Sequence, residues 1–284
     1  HRALRGAARP RARSCRRVGL IRALAVALGV LLAATAAAAQ DLRLAGEAVQ
    51  GGLIRGQVPP GTEVRLDGRA LRVAADGLFV FGFGRDAKPD HSLALRLPDG
   101  SHQERSLTVA KRSYRVQRID GLAPRMVTPD AAALVRIRRE NGWIAAARQR
   151  DTPEPHFAAG FAWPLRGPIT GVFGSQRILN GEPRRPHYGV DIAGPRGKPV
   201  LSPAAGLVAL VEADLYYTGG TIIIDHGHGL TSVLSHLSAV LVKLGEIVEQ
   251  GQLVGRVGAS GRATGPHLDW RVNWFAERLD PARL

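Results

Sequence analysis

Hydrophobic and polar positions alternate strictly from His267 to Trp274. Leu268, Trp270, Val272 and Trp274 fall on one face of an extended segment, and His267, Asp269, Arg271 and Asn273 on the other. This period of two predicts a strand with one face in the core; the opposite face presents an imidazole and a carboxylate two residues apart, pointing the same way. Upstream, Thr221-Ile222-Ile223-Ile224-Asp225 is a short, mostly β-branched run that predicts a buried strand. From Glu246 to Gly258, strand-like residues are interrupted by glycine at close intervals, a pattern of turns and bulges. Residues 161–284 therefore read as a glycine-rich antiparallel β-domain opening near Phe161-Ala162-Trp163-Pro164.

Residues 40–118 read as a second, smaller β-rich domain, sandwich-like and accessory to the first. Its turn signals are Pro59-Pro60-Gly61, Asp67-Gly68, Asp76-Gly77 and Pro98-Asp99-Gly100, each beside a short alternating segment. Between the two, residues 119–160 form a linker. Thr128 as N-cap and Pro129 at the first helical position predict a helix over about 129–150, closed by Asp151-Thr152-Pro153-Glu154-Pro155. The predicted fold class is thus mostly β: a small sandwich-like domain, a linker helix and a larger antiparallel domain.

The first 39 residues stand apart. Eight arginines precede an apolar run from Ala23 to Leu32 and a small-residue tail ending at Ala39. This arrangement is an export signal cut after Ala39, and the apolar run is shorter than the roughly 20 residues a spanning helix needs. No stable membrane insertion is expected after its removal, and the expected location is the periplasm or cell envelope. The signal contains Cys15, the only cysteine, so the mature chain has no disulfide. Its loss takes the formal net charge from +15 to +7, which suits an anionic wall or membrane surface. Arginines are not interleaved with aromatics, so nucleic acid is not an expected partner.

Candidate chemistry centres on a His187-x-x-x-Asp191 pair, the lone His236 and the strand carrying His267 and Asp269. Histidine and carboxylate are zinc ligands, and a catalytic zinc takes three protein ligands with one open position. His187, Asp191 and Asp269 make such a set. His226-Gly227-His228 is also an H-x-H, but its glycines mark a turn and it reads as structural.

The ordered series Phe173-Gly174, His187-Tyr188-Gly189-Val190-Asp191, Pro203-Ala204-Ala205-Gly206, Asp225-His226-Gly227, Ser235-His236-Leu237 and Gly265-Pro266-His267 resembles the LytM/lysostaphin-type zinc metalloendopeptidases, which cut peptidoglycan cross-bridges. The resemblance covers roughly residues 161–276. It implies a duplicated hybrid motif fold, one Zn(2+) per chain on His187, Asp191 and the residue at 269, and catalytic roles for His236 and His267. Tyr188 and Arg271 are candidate substrate contacts. The family's ligand at position 269 is histidine, and here it is Asp269. Aspartate binds zinc at a similar distance, but two carboxylates and one imidazole leave the ligand shell formally neutral and should acidify a bound water less. Both catalytic imidazoles are kept, which favours an exported zinc endopeptidase acting on peptidoglycan. The alternative is a catalytically inactive relative that activates a cell-wall amidase, an envelope partner. A biotinyl- or lipoyl-type carrier, suggested by Glu246 to Gly258, lacks a lysine in a tight turn; the nearby lysine is Lys243.

Overall fold

A computed structural model describes residues 42–284; the export signal expected over residues 1–39 lies outside the described residues. The chain opens with β1 (Arg43–Gly46), β2 (Leu53–Gln57), β3 (Glu63–Leu66), β4 (Arg69–Leu71), β5 (Leu78–Gly82), β6 (Asp90–Arg96), β7 (His102–Thr108) and β8 (Val116–Ile119). Two helices follow, α1 (Pro124–Val127) and α2 (Ala131–Arg148). Next come β9 (Ile169–Gly171), β10 (Gln176–Leu179), β11 (Glu182–Arg184), β12 (Val190–Ala193), β13 (Pro199–Leu201) and β14 (Gly206–Leu215). The last strands are β15 (Gly219–Asp225), β16 (Leu230–Val240), β17 (Ile247–Val248), β18 (Leu253–Val257), β19 (His267–Trp274) and β20 (Glu277–Leu279). The fold is mostly β and, apart from one parallel pair (β8 on β10), antiparallel.

The N-terminal strands form two small sheets, β1-β2-β5 and β4-β3-β6-β7. Alternation sets which residues turn inward: Val64 and Leu66 on β3 are buried while Glu63 and Arg65 are exposed. Asp67 and Gly68 both take positive φ, 48° and 81°, and join β3 to β4 in register. This is the two-residue turn whose twist matches a hairpin. Buried residues of these sheets (Ile54, Val64, Phe79, Phe81, Leu93) and of the later strands (Val190, Ile222, Leu234, Trp270) belong to one continuous core. Residues 42–284 accordingly form a single compact unit. The C-terminus ties in as well: Asp280 N–H donates to Gly51 O at 2.8 Å, and Arg112 pairs with Asp280 at 2.8 Å.

The largest sheet runs β17-β14-β15-β16-β19-β12-β9, with β13, β18 and β20 attached beside it. β19 lies in its interior between β16 and β12, so Leu268, Trp270, Val272 and Trp274 are all buried. The run expected at residues 221–225 is β15, buried along its whole length.

The long helix begins two residues later than the sequence signal predicts. Thr128 N–H closes α1 by donating to Pro124 O at 2.8 Å, and Asp130 is the N-cap of α2, its Oδ1 accepting from Ala133 N–H at 2.8 Å. Two polar residues flank Pro129, and the preceding turn claims the first. One side of α2 packs Ile144 and Ala147 against Ile223 and Val233. Among the described residues, no helix is long and apolar enough to cross a membrane.

Two buried histidines are expected to make this fold acid-sensitive. His226 Nδ1 donates to Ala205 O at 2.6 Å, and its Nε2 meets Ser232 Oγ at 2.8 Å. Burial pulls His226 and His236 down from 6.5 to about 4. The unfolded chain therefore binds more protons than the folded one between those values. Stability should be complete above about pH 6.5 and fall as pH drops toward 4, by on the order of 3 kcal/mol for each residue at full effect. Thermal unfolding measured from pH 8 to pH 4.5 should show this fall; an unchanged midpoint between pH 7 and 5 would contradict it.

Candidate metal centre

Strand register brings the candidate ligands together. Asp191 on β12 stands directly across from Asp269 on β19, and Ser235 on β16 faces Asp269 from the other side. His187 precedes β12 and is 1% exposed. Ligand atoms of His187, Asp191 and Asp269 all lie within 4.8 Å of one another. Two glycines make room. A Cβ at Gly171 would fall 2.2 Å from Asp191 Oδ2, and one at Gly189 would fall 2.5 Å from Asp269 Oδ1.

Carboxylates directly opposite on neighbouring strands repel one another, so this arrangement needs cations. Two are supplied by the chain. Arg177 Nη2 donates to Asp191 Oδ2 at 2.7 Å. Arg271 donates to Asp269 from Nε, at 3.0 Å to each oxygen, and from Nη2, at 2.5 Å to Oδ2. Burial opposes the charge on Asp269, but Arg271 outweighs it and holds the carboxyl far below its ordinary range. Burial and Asp269 also oppose the charge on Asp191; His187 and Arg177 prevail, and this carboxyl too is lowered.

The remaining atoms suit a further cation. Asp191 Oδ1 is buried without a hydrogen bond, as are both ring nitrogens of His187. That oxygen faces His187 Nε2 at 3.0 Å and His267 Nε2 at 3.9 Å. A carboxylate oxygen and imidazole lone pairs converging on one point are the chemistry of a metal site. Asp269 can take part through Oδ1, which accepts once from Arg271 and keeps a second lone pair, whereas Oδ2 accepts twice. A ligating carboxylate is ordinarily held by a hydrogen-bonding partner of this kind. A charge balance drawn from the three ligands alone is therefore incomplete: the guanidiniums of Arg177 and Arg271 restore positive charge that Asp269, in place of histidine, removes.

Above this cluster the rings of His236 and His267 lie 4.7 Å apart. His236 Nδ1 donates to Ser260 O and His267 Nδ1 to Gly265 O, each at 2.8 Å. A carbonyl only accepts, so in each neutral ring Nε2 is left as a proton acceptor. His236 takes φ 65° within β16, where pairing with both β15 and β18 is irregular. Within a strand, away from a turn, a non-glycine residue in that region is uncommon. The second H-x-H is used elsewhere: His226 is bonded as above, and His228 Nε2 meets Pro153 O at 3.1 Å.

A cleft of about 630 Å³ opens over the site, walled by α2 on one side and by residues 184–188 on another. Tyr188 lines it, with the Arg278 guanidinium 5.7 Å from its ring. Arg271 lines it too, while its guanidinium rests on Asp269. Arg177 carries no motif in the sequence and goes unnoticed there. The partner of Asp269 was open to view, since Arg271 lies two residues away on the same strand face.

An antiparallel β-fold that gathers one imidazole and two carboxylates beside a pair of histidines has the donor set of a metal centre. Residues 185–281 match peptidase family M23. The crystal structure of a Pseudomonas aeruginosa protein described as a peptidase M23 superposes with a TM-score of 0.65 at 32% identity, covering 83% of this chain and 94% of that one. The chain belongs to peptidase family M23. The Cell division protein DipM of Caulobacter vibrioides is 35% identical over 123 residues, 43% of this chain and 19% of its own length. The Peptidoglycan DD-endopeptidase ShyB of Vibrio cholerae is 37% identical over 114 residues, 40% of this chain and 24% of its own. The chain thus spans about a fifth to a quarter of the length of these two relatives.

Proposed function

We propose that the chain is an exported zinc endopeptidase hydrolysing amide bonds in peptidoglycan peptide cross-links. The observation that carries this reading is the pair of imidazoles, His236 and His267, each with Nδ1 fixed and Nε2 open, beside three converging ligands. Zinc held by His187, Asp191 and Asp269 would act as a Lewis acid toward the scissile carbonyl and acidify water. Burial keeps His236 neutral at pH 7 and so leaves its Nε2 lone pair free to accept a proton, while weakening it as a base. His267, with the same tautomer, can accept the other proton or hydrogen-bond the developing oxyanion. Arg271 orients Asp269, and Tyr188 borders the path of the substrate. The division into an accessory part (40–118), a linker (119–160) and a catalytic part (161–284) belongs to the same proposal, as does placement in the periplasm or envelope.

The test is digestion of purified sacculi by the whole chain, read as conversion of cross-linked muropeptides to monomers. The reaction should stop on chelation and return with added zinc. Intact cross-links with the zinc-supplemented protein would contradict the reading. One observation favours the amidase-regulator alternative: Arg271 engages both oxygens of Asp269. On that alternative, sacculi are cut only when an amidase is supplied, with His236→Ala as effective as the wild type.

A further inference from the structure

The cleft above the site is rich in arginine that nothing in the chain neutralises. Arg177 and Arg271 are spent on Asp191 and Asp269. Arg148, Arg184, Arg185 and Arg278 also line the cleft, and among the described residues none of these four forms an ion pair. The lining carboxylate on the α2 wall, Glu140, is already held by Arg136 at 2.5 Å and by Tyr216 N–H at 2.8 Å. Arg184 gives one nitrogen to Val127 O at 3.0 Å, and Arg278 one to Asn273 Oδ1 at 2.5 Å.

Arg148 and Arg184 each bury an Nε without a hydrogen-bond partner. Arg184 is also held by Val127 O, whereas the Arg148 side chain, at the last turn of α2 where a cation suits the helix dipole, makes no hydrogen bond among the described residues. Burial, with repulsion from Arg271, lowers it from 12.5 to about 10, which still leaves it charged at neutral pH. A partly buried guanidinium whose Nε has no partner is unfavourable in the free protein. A carboxylate, which matches the guanidinium fork, would relieve that cost on binding.

We propose that Arg148, with Arg184, Arg185 and Arg278, forms a carboxylate-reading subsite on the α2 side of the cleft, so that the preferred ligand is a peptide carrying a free carboxylate beside the bond to be cut. This deepens the peptidase reading and rests on it for the word "cut"; the recognition itself does not. The ligand is a peptide because the same cleft is also lined by His187, His236 and Asp269.

The experiment measures binding, so that an inactive protein would count against the peptidase reading without touching this one. A fluorescent cross-linked stem-peptide dimer with free carboxylates is compared with the same dimer converted to carboxamides, by anisotropy, on the full chain. The acid form should bind about 10- to 100-fold tighter, the weight of one or two charge-assisted hydrogen bonds. Arg148→Gln should remove most of that preference while leaving the affinity for the carboxamide dimer unchanged, and Arg148→Lys should restore part of it. Arg148 has no ion-pair partner to lose among the described residues, only its favourable place at the helix C-terminus, so the variant should melt close to the wild type; Arg278→Gln provides a second, smaller loss of preference. Equal affinity for the two dimers, or a preference that survives Arg148→Gln, would overturn the proposal.

Discussion

Replacing His267 by alanine is expected to lower kcat/KM on a cross-linked peptide by about a hundredfold to ten-thousandfold, the range for a positioned acid–base group. The ring nitrogen that matters is Nε2, because Nδ1 is occupied by Gly265 O. Nε2 lies 3.9 Å from Asp191 Oδ1, so a group bound at the ligand cluster would fall within its reach. His236→Ala should cost a similar factor, and the double variant little more than either alone, because residues that act as a unit are not additive. Initial rates on a defined peptide, with circular dichroism to confirm folding, decide the matter. Near-wild-type turnover in His267→Ala would remove this histidine from the chemistry.

The second large effect is on stability. Arg271→Met should destabilise the metal-free protein by about 3 kcal/mol, at the lower end of the range for breaking a buried ion pair. The low end applies because the Arg271 side chain keeps 27% exposure against 1% for Asp269. Without Arg271, a buried carboxylate opposite Asp191 has lost its counter-charge. Asp269→Asn added to Arg271→Met should recover most of the loss, since the charge left stranded is removed along with its partner. Denaturant unfolding in the presence of chelator measures all three variants. A loss under about 1 kcal/mol in Arg271→Met, or no recovery in the double variant, would show that the pair is not a coupled replacement.

The most legible parts of this protein were those written in local periodicity. The alternation over residues 267–274 became β19, and the β-branched run at 221–225 lies within β15. Asp269, far in sequence from the neighbouring pair His187 and Asp191, could be grouped with them because their chemistry and order matched a known pattern. Three features were not legible. The start of α2 depended on whether Thr128 or Asp130 would cap, which the turn before it decides. The positive φ of His236 coincides with a register shift between β16 and β15, and no local residue announces it. Arg177 reaches Asp191 from β10, a strand of a separate sheet, a long-range contact that no local pattern announces. Arg271 lies between these cases. Its position on the face of Asp269 was evident, but its use as that residue's counter-ion required the burial of both to be known.

The central claim is that Asp269, braced by Arg271, completes a metal site with His187 and Asp191. Its most direct test is the metal content of the purified wild-type chain beside Asp269→Ala, by elemental mass spectrometry after zinc supplementation and desalting. The account predicts about one zinc per chain in the wild type and its loss in the variant. A wild type that remains metal-free, or a variant that keeps its zinc, would contradict it; the first result would favour an inactive partner of a cell-wall amidase.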